Sequence, residues 1–171
     1  MNYREHLLQP LSLRYIDMLE SEILINPADF PLVYSLIFDA DVKVAWRAAW
    51  ACQKISEKHP DWFTENHFLE LSTYAISISH GGILRGCLSI LKNIEFPSTI
   101  SVEFINSCFD WMVSPKQPIA VQALSMKILY LICIKIPDFA PELKVVLQHI
   151  DYENYSPGFI CTRNKILKLL K

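Results

Sequence analysis

The chain has 171 residues, 51% of them hydrophobic and 20% charged, with a formal net charge of −2. This composition excludes a disordered chain, and the near balance of charge gives no sequence-wide attraction to nucleic acid or anionic lipid. Four glycines against ten prolines suit helices that stop sharply; they do not supply the turn chemistry that a sheet needs between strands.

The opening stretch, MNYREHLLQPLSLRY, lacks the apolar run of a secretory signal. Behind Ser12, a good N-cap, the spacing predicts a helix from Leu13 to Ile25 with Ile16, Leu19 and Ile23 on its apolar face. Asn26-Pro27 ends it, and Phe30 to Phe38 forms the next helix. Asp41 then caps the longest one, which carries Val42, Ala45, Trp46, Ala49, Trp50 and Cys52 at three- and four-residue steps. A helix this apolar is expected to be buried on more than one side, which makes Trp46 and Trp50 core residues. Its polar residues Lys43, Arg47, Lys54 and Lys58 stack on one face, and His59-Pro60 stops it. Trp111 also reads as core, and Trp62, just beyond Pro60, as either the exception to burial or a staple between repeats; the alternative for the four tryptophans is an aromatic recognition surface.

Thr64 caps a helix to about Ser77, and Ser79-His80-Gly81-Gly82 reads as a turn closed by a C-cap glycine. An apolar helical stretch follows from Gly82 to Pro97. Ser98 or Ser101 opens the next helix, which ends near Val113 before the turn Ser114-Pro115-Lys116-Gln117-Pro118. After the helical stretch from Val121, Pro141 sits at N1 of a helix to Ile150. A last helix starts at Ser156-Pro157 and carries Arg163, Lys165, Lys168 and Lys171.

Two of these stretches repeat one another. Val44 aligns with Val121, Ile55 with Ile132, Lys58 with Lys135, and Pro60-Asp61-Trp62 with Pro137-Asp138-Phe139. They lie about two 40-residue periods apart, with a third copy between them, as in two-helix repeats. The residues Asp41 to Ala49, D-V-K-V-A-W-R-A-A, resemble the HEAT repeat. That pattern has an Asp in the inter-helix turn, a bulky apolar residue before Arg or Lys, and then alanines: here Asp41, Trp46-Arg47 and Ala48-Ala49. Leu84-Arg85 and Thr162-Arg163 keep the basic position, whereas Val121-Gln122 does not. Armadillo-type and other α-solenoid repeats have similar patterns. The resemblance implies an all-α fold: an α-α superhelix of about four antiparallel helix pairs plus an N-terminal helix, with residues 1–171 as one domain. It also implies that Arg47 pairs with the turn aspartate Asp41, and that second helices line a concave binding face.

Five scattered cysteines, Cys52, Cys87, Cys108, Cys133 and Cys161, read as reduced, mostly buried small hydrophobes and point to the cytoplasm. The histidines His6, His59, His67, His80 and His149 show no metal-ligand spacing, and no phosphate loop or dinucleotide fingerprint occurs. The expectation is therefore no metal, no cofactor and no catalysis. No apolar run approaches the length of a membrane-spanning helix, about 20 residues. The candidate partner-binding residues are Lys43, Arg47, Lys54 and Lys58, with Arg85 and Arg163 at similar places in later repeats. The reading is a non-catalytic interaction or scaffold module that binds a protein or peptide through a solenoid face. An acidic partner would dock on Lys54 and Lys58, and reversing both charges would leave stability almost unchanged. The alternative is a nucleic-acid-binding protein similar to HEAT-like DNA alkylation-repair glycosylases, with the tryptophans and Asp41 or Asp110 at its site. A pI of 6.2 weighs against that alternative.

Overall fold

The computed structural model describes residues 2–10, 12–151, 153 and 155–170, and these hold ten α-helices and no strand. They are α1 Tyr3–Leu8, α2 Leu13–Ile25, α3 Phe30–Ser35, α4 Val42–Lys58, α5 Glu65–Ser77, α6 Gly81–Asn93, α7 Val102–Val113, α8 Ile119–Lys135, α9 Ala140–His149 and α10 Pro157–Leu169. Short 3-10 turns at Pro27–Asp29, Pro60–Trp62 and Pro137–Phe139 follow α2, α4 and α8. Each begins at a proline, which ends the preceding helix by withholding its amide. No described helix is long and apolar enough to cross a membrane.

The helices form two layers. The second helices α2, α4, α6, α8 and α10 pack in chain order, each against the next. The first helices α3, α5, α7 and α9 back them, each packed against the second helix that follows it. The predicted superhelix of antiparallel pairs is present. At the N-terminus the expected single helix has a short partner, α1, which also packs on α3 and α4. The missed helix has only six residues, too short to show a periodic pattern.

Several sequence-level caps are made. Ser12 Oγ accepts from the Tyr15 amide, Asp41 Oδ1 from Lys43 and Ser156 Oγ from Phe159. Thr64 and His67 form a capping box at the start of α5, with the Thr64 amide donating to His67 Nδ1 at 2.9 Å. The His80-Gly81-Gly82 reading needs correction. Both glycines are the first residues of α6, no described glycine has a positive φ, and His80 Nδ1 accepts from the Ile83 amide as an N-cap.

The core face of α4 is Val44, Ala45, Ala48, Ala49, Ala51, Cys52, Ile55 and Ser56. Trp46 is 37% exposed and Trp50 half-buried, so the expectation that these two are core is wrong. The reason lies in packing distance. The small residues of α4 allow α6 to come close: a Cβ on Gly86 would stand 2.7 Å from Ala49 Cβ. A tryptophan has no room in such a contact. Trp62 is half-buried at the end of the α3–α4 pair, stacking on His59 with ring centroids 4.8 Å apart and meeting Phe30 edge-on at 5.6 Å. Trp111 is half-buried, edge-on to Phe104.

Candidate partner-binding face

Three of the six predicted cations on second helices are held within the chain by earlier elements, and a fourth by the helix it pairs with. Arg47 does not pair with Asp41, as expected; its Nη1 donates to the Leu7 and Gln9 carbonyls at the end of α1. The last carbonyls of a helix lack intrahelical donors, so the guanidinium acts as a C-cap delivered from another helix. Lys54 Nζ lies 2.5 Å from Asp17 Oδ1, and Lys58 Nζ lies 2.7 Å from Glu20 Oε1. The Asp17 carboxylate raises the Lys54 pKa above its ordinary value. Arg163 Nε donates to the Leu147 carbonyl of α9 at 2.6 Å. Lys43 and Arg85 are exposed, with no carboxylate at ion-pair distance among the described residues. The stripe on α4 is thus divided: its C-terminal part pairs with α2, and only Lys43 has no carboxylate at ion-pair distance among the described residues.

Carbonyl capping recurs in the third pair. Gln122, in the first turn of α8, donates from Nε2 to the Ser114 carbonyl at 2.7 Å, just past α7. Lys135 likewise donates to the Phe96 carbonyl after α6. Arg85 makes no such bond among the described residues, and it points away from the core.

A different row runs across the outer surface of the second-helix layer. On α4, Trp46 and Trp50 stack with ring centroids 6.4 Å apart. They stand beside Arg85, and with Gln53, Gly82 and Gly86 they line a small cleft of about 80 Å³. Arg85 and Lys92 are seven residues apart on α6, two helical turns, and so share a face. Lys92 opens onto a second and larger hollow of about 610 Å³ between α6, α8 and α10, with Lys127, Tyr130 and Leu131 on α8 and Cys161, Lys165 and Leu169 on α10. No Asp or Glu lines either hollow. None of Arg85, Lys92, Lys127 and Lys165 has an ion pair among the described residues. The sequence reading named Arg85 as a partner contact, read Trp46 and Trp50 as core and Lys165 as part of a polar last helix, and did not single out Lys92 or Lys127. The available signal was angular: on each helix these residues lie opposite the small or aliphatic core positions.

Four cysteines are buried and Cys161 is exposed. Burial pushes the Cys87 thiol up to about 12 and the Cys133 thiol up to about 11, which leaves both protonated and unreactive at neutral pH. Among the described residues no group of three or more His, Cys, Asp or Glu could hold a metal ion. The glycosylase-like set of tryptophans and a carboxylate is not assembled. Asp41 caps α4 through Oδ1, and Asp110 is exposed on α7, in the layer opposite Trp46 and Trp50.

The family model described as a HEAT repeat domain matches residues 3–170. No curated protein and no solved structure matches the chain.

Proposed function

We propose that this chain, which belongs to the HEAT repeat family, is a non-catalytic interaction module that binds a protein or peptide partner on the outer face of its second-helix layer. The observation that carries the reading is the row Trp50, Arg85, Lys92, Lys127 and Lys165: aromatic and cationic, lined by no carboxylate, and crossing the four second helices α4, α6, α8 and α10. A stacked helical array presents such a surface as one extended strip. Tryptophan, tyrosine and arginine are the residues that most often anchor protein interfaces. The buried reduced thiols fit a reducing compartment, and we place the module in the cytoplasm.

Of the six cations first singled out, Arg85 is retained as a partner contact and Lys43 as a peripheral one. Arg47, Lys54, Lys58 and Arg163 act in the fold. The alternative of nucleic-acid binding has less support, because the lining of the two hollows carries only four cations, Arg85, Lys92, Lys127 and Lys165, and the chain carries a net negative charge.

Photo-crosslinking tests the face. A photoreactive amino acid at Gln53 or Arg85 should capture one discrete partner in cells, whereas the same group at Leu69 or Val145, exposed on the first-helix layer, should not. Capture only from Leu69 or Val145, or adducts that nuclease removes, would overturn the reading.

A further inference from the structure

We infer that the hollow between α6, α8 and α10 is a docking site for an acidic amphipathic helix of a partner protein. The inference rests on the proposed binding face and names the part of it that does the gripping and the form of what is gripped.

Two properties set this hollow apart. Its floor is apolar: Tyr130 and Leu131 are half-buried, and Leu169 is 51% exposed at the open side. Its rim carries three ammonium groups from three helices, Lys92, Lys127 and Lys165, and none has an ion pair among the described residues. Elsewhere among the described residues three cations do find a carboxylate within the chain, while Lys43 and Arg85 do not. Arg4 pairs with Asp39, Lys54 with Asp17 and Lys58 with Glu20. With no carboxylate lining the hollow, the complementary charge has to come from the ligand, and the complementary surface from its apolar side chains.

The conformation of the ligand follows from what the surface lacks. Every wall is the side of a helix, whose backbone donors and acceptors are already used within the helix. An extended peptide laid on it would find no strand edge to pair with, and its amides would be desolvated against tyrosine and leucine without partners. A helical ligand satisfies its own backbone and presents one apolar stripe. The lining of α10 from Cys161 to Leu169 corresponds to a helix length of about 12 Å, or two turns. The ligand motif is therefore a short apolar stripe at i, i+3 or i+4, and i+7, with Asp or Glu on both flanks. Nucleic acid suits the hollow less well: Tyr130 is the one aromatic ring in its lining, and stacking platforms use successive rings.

Selection from a displayed library of random peptides, each about 16 residues long so that isolated helices can form, tests this on the intact protein. The recovered sequences should show the helical apolar period flanked by acidic residues. Synthetic copies should lose at least tenfold in affinity for Lys127→Glu with Lys165→Glu, and less for the uncharged Lys127→Gln with Lys165→Gln. Both lysines are exposed, so circular dichroism and the denaturation midpoint should not change. Cys161 lies in the lining and is the exposed thiol among the five, so bound peptide should slow its alkylation by iodoacetamide. The hollow would be refuted by recovery of no peptides, recovery of peptides without the acidic helical pattern, equal binding to the Glu variant, unprotected Cys161, or displacement by single-stranded oligothymidine. If the hollow fails while a crosslinker at Gln53 or Arg85 still captures a partner, the binding face stands and only this subsite falls.

Discussion

Glu20 shows how much a single charge can decide. Its side chain is 5% exposed, and its partner Lys58 is 59% exposed, so α2 carries a carboxylate into the interface with α4 and α4 supplies the cation. Removing that cation leaves a desolvated charge. Lys58→Ala should cost about 1–3 kcal/mol, measured by urea denaturation, whereas Lys43→Ala should change stability by less than about 0.5 kcal/mol. Lys54→Glu with Lys58→Glu, which the sequence suggested would leave stability unchanged, should instead lower it, because Asp17 and Glu20 would each face a new carboxylate. Trp50 and Ile132 make the same point with apolar groups. Ile132 is fully buried, and Ile132→Ala should cost about 2–5 kcal/mol. Trp50 is half-buried, packed against the core and stacked on Trp46, and its replacement by Ala should cost less than the loss of a fully buried side chain.

At the scale of elements, two devices position helices. The first is the close packing of α4 on α6. A Cβ at Gly86 would meet Ala49 Cβ at 2.7 Å, and only separation of the two helices would relieve it. Overpacking of that kind costs about 1–3 kcal/mol, against a helix-propensity gain of about 1 kcal/mol for alanine over glycine, so Gly86→Ala should destabilise. A Cβ at Gly82 would first meet two side-chain rings, Trp46 at 2.9 Å and His80 at 3.0 Å. The Trp46 ring can swing toward solvent, so Gly82→Ala should be neutral or stabilising; the two denaturation midpoints decide.

The second device is the α5 capping box. His67 Nδ1 accepts the Thr64 amide while its ring meets Tyr34 edge-on at 4.4 Å. Burial lowers the His67 pKa below its ordinary value, and Glu70 opposes this in part. The folded state therefore favours neutral imidazole. Its contribution is complete above the unfolded-state pKa, about 6.5, and is lost as pH falls through the depressed folded value. Stability measured from pH 7.5 downward should decline with this component. His67→Gln, which keeps a capping-box acceptor, should remove that part of the decline.

Across the whole molecule, each of α4, α6 and α8 has a second helix on both sides, whereas α2 and α10 have one on a single side only. In a stacked array, stability is the sum of each repeat and its nearest interfaces. Amide hydrogen exchange should therefore be slowest in α4, α6 and α8 and fastest in α1 and α10. Uniform protection from end to end would mean that the array unfolds as one unit instead. The arrangement also explains why the proposed binding row spans helices: each second helix turns its small or aliphatic side to the core, and so offers its opposite residues, Trp50, Arg85 and Lys127, on one continuous surface.

The sequence made most helices and their stops legible, because caps such as Asp41 and Ser156 and breakers such as Pro60 and Pro137 act on backbone within a turn of themselves. It also determined the repeat, since the match between Pro60-Asp61-Trp62 and Pro137-Asp138-Phe139 is local chemistry recurring at a fixed period. The short α1 escaped, having too few residues for a period to register. Only the tertiary structure decided which charges are spent and which are free. Lys54 and Lys127 look alike in sequence, each a lysine on an apolar helix. One meets Asp17 across a helix interface, and the other stands over a hollow with no carboxylate. That difference depends on what a neighbouring helix brings within a few ångströms, and a pattern along one helix carries no record of its neighbours.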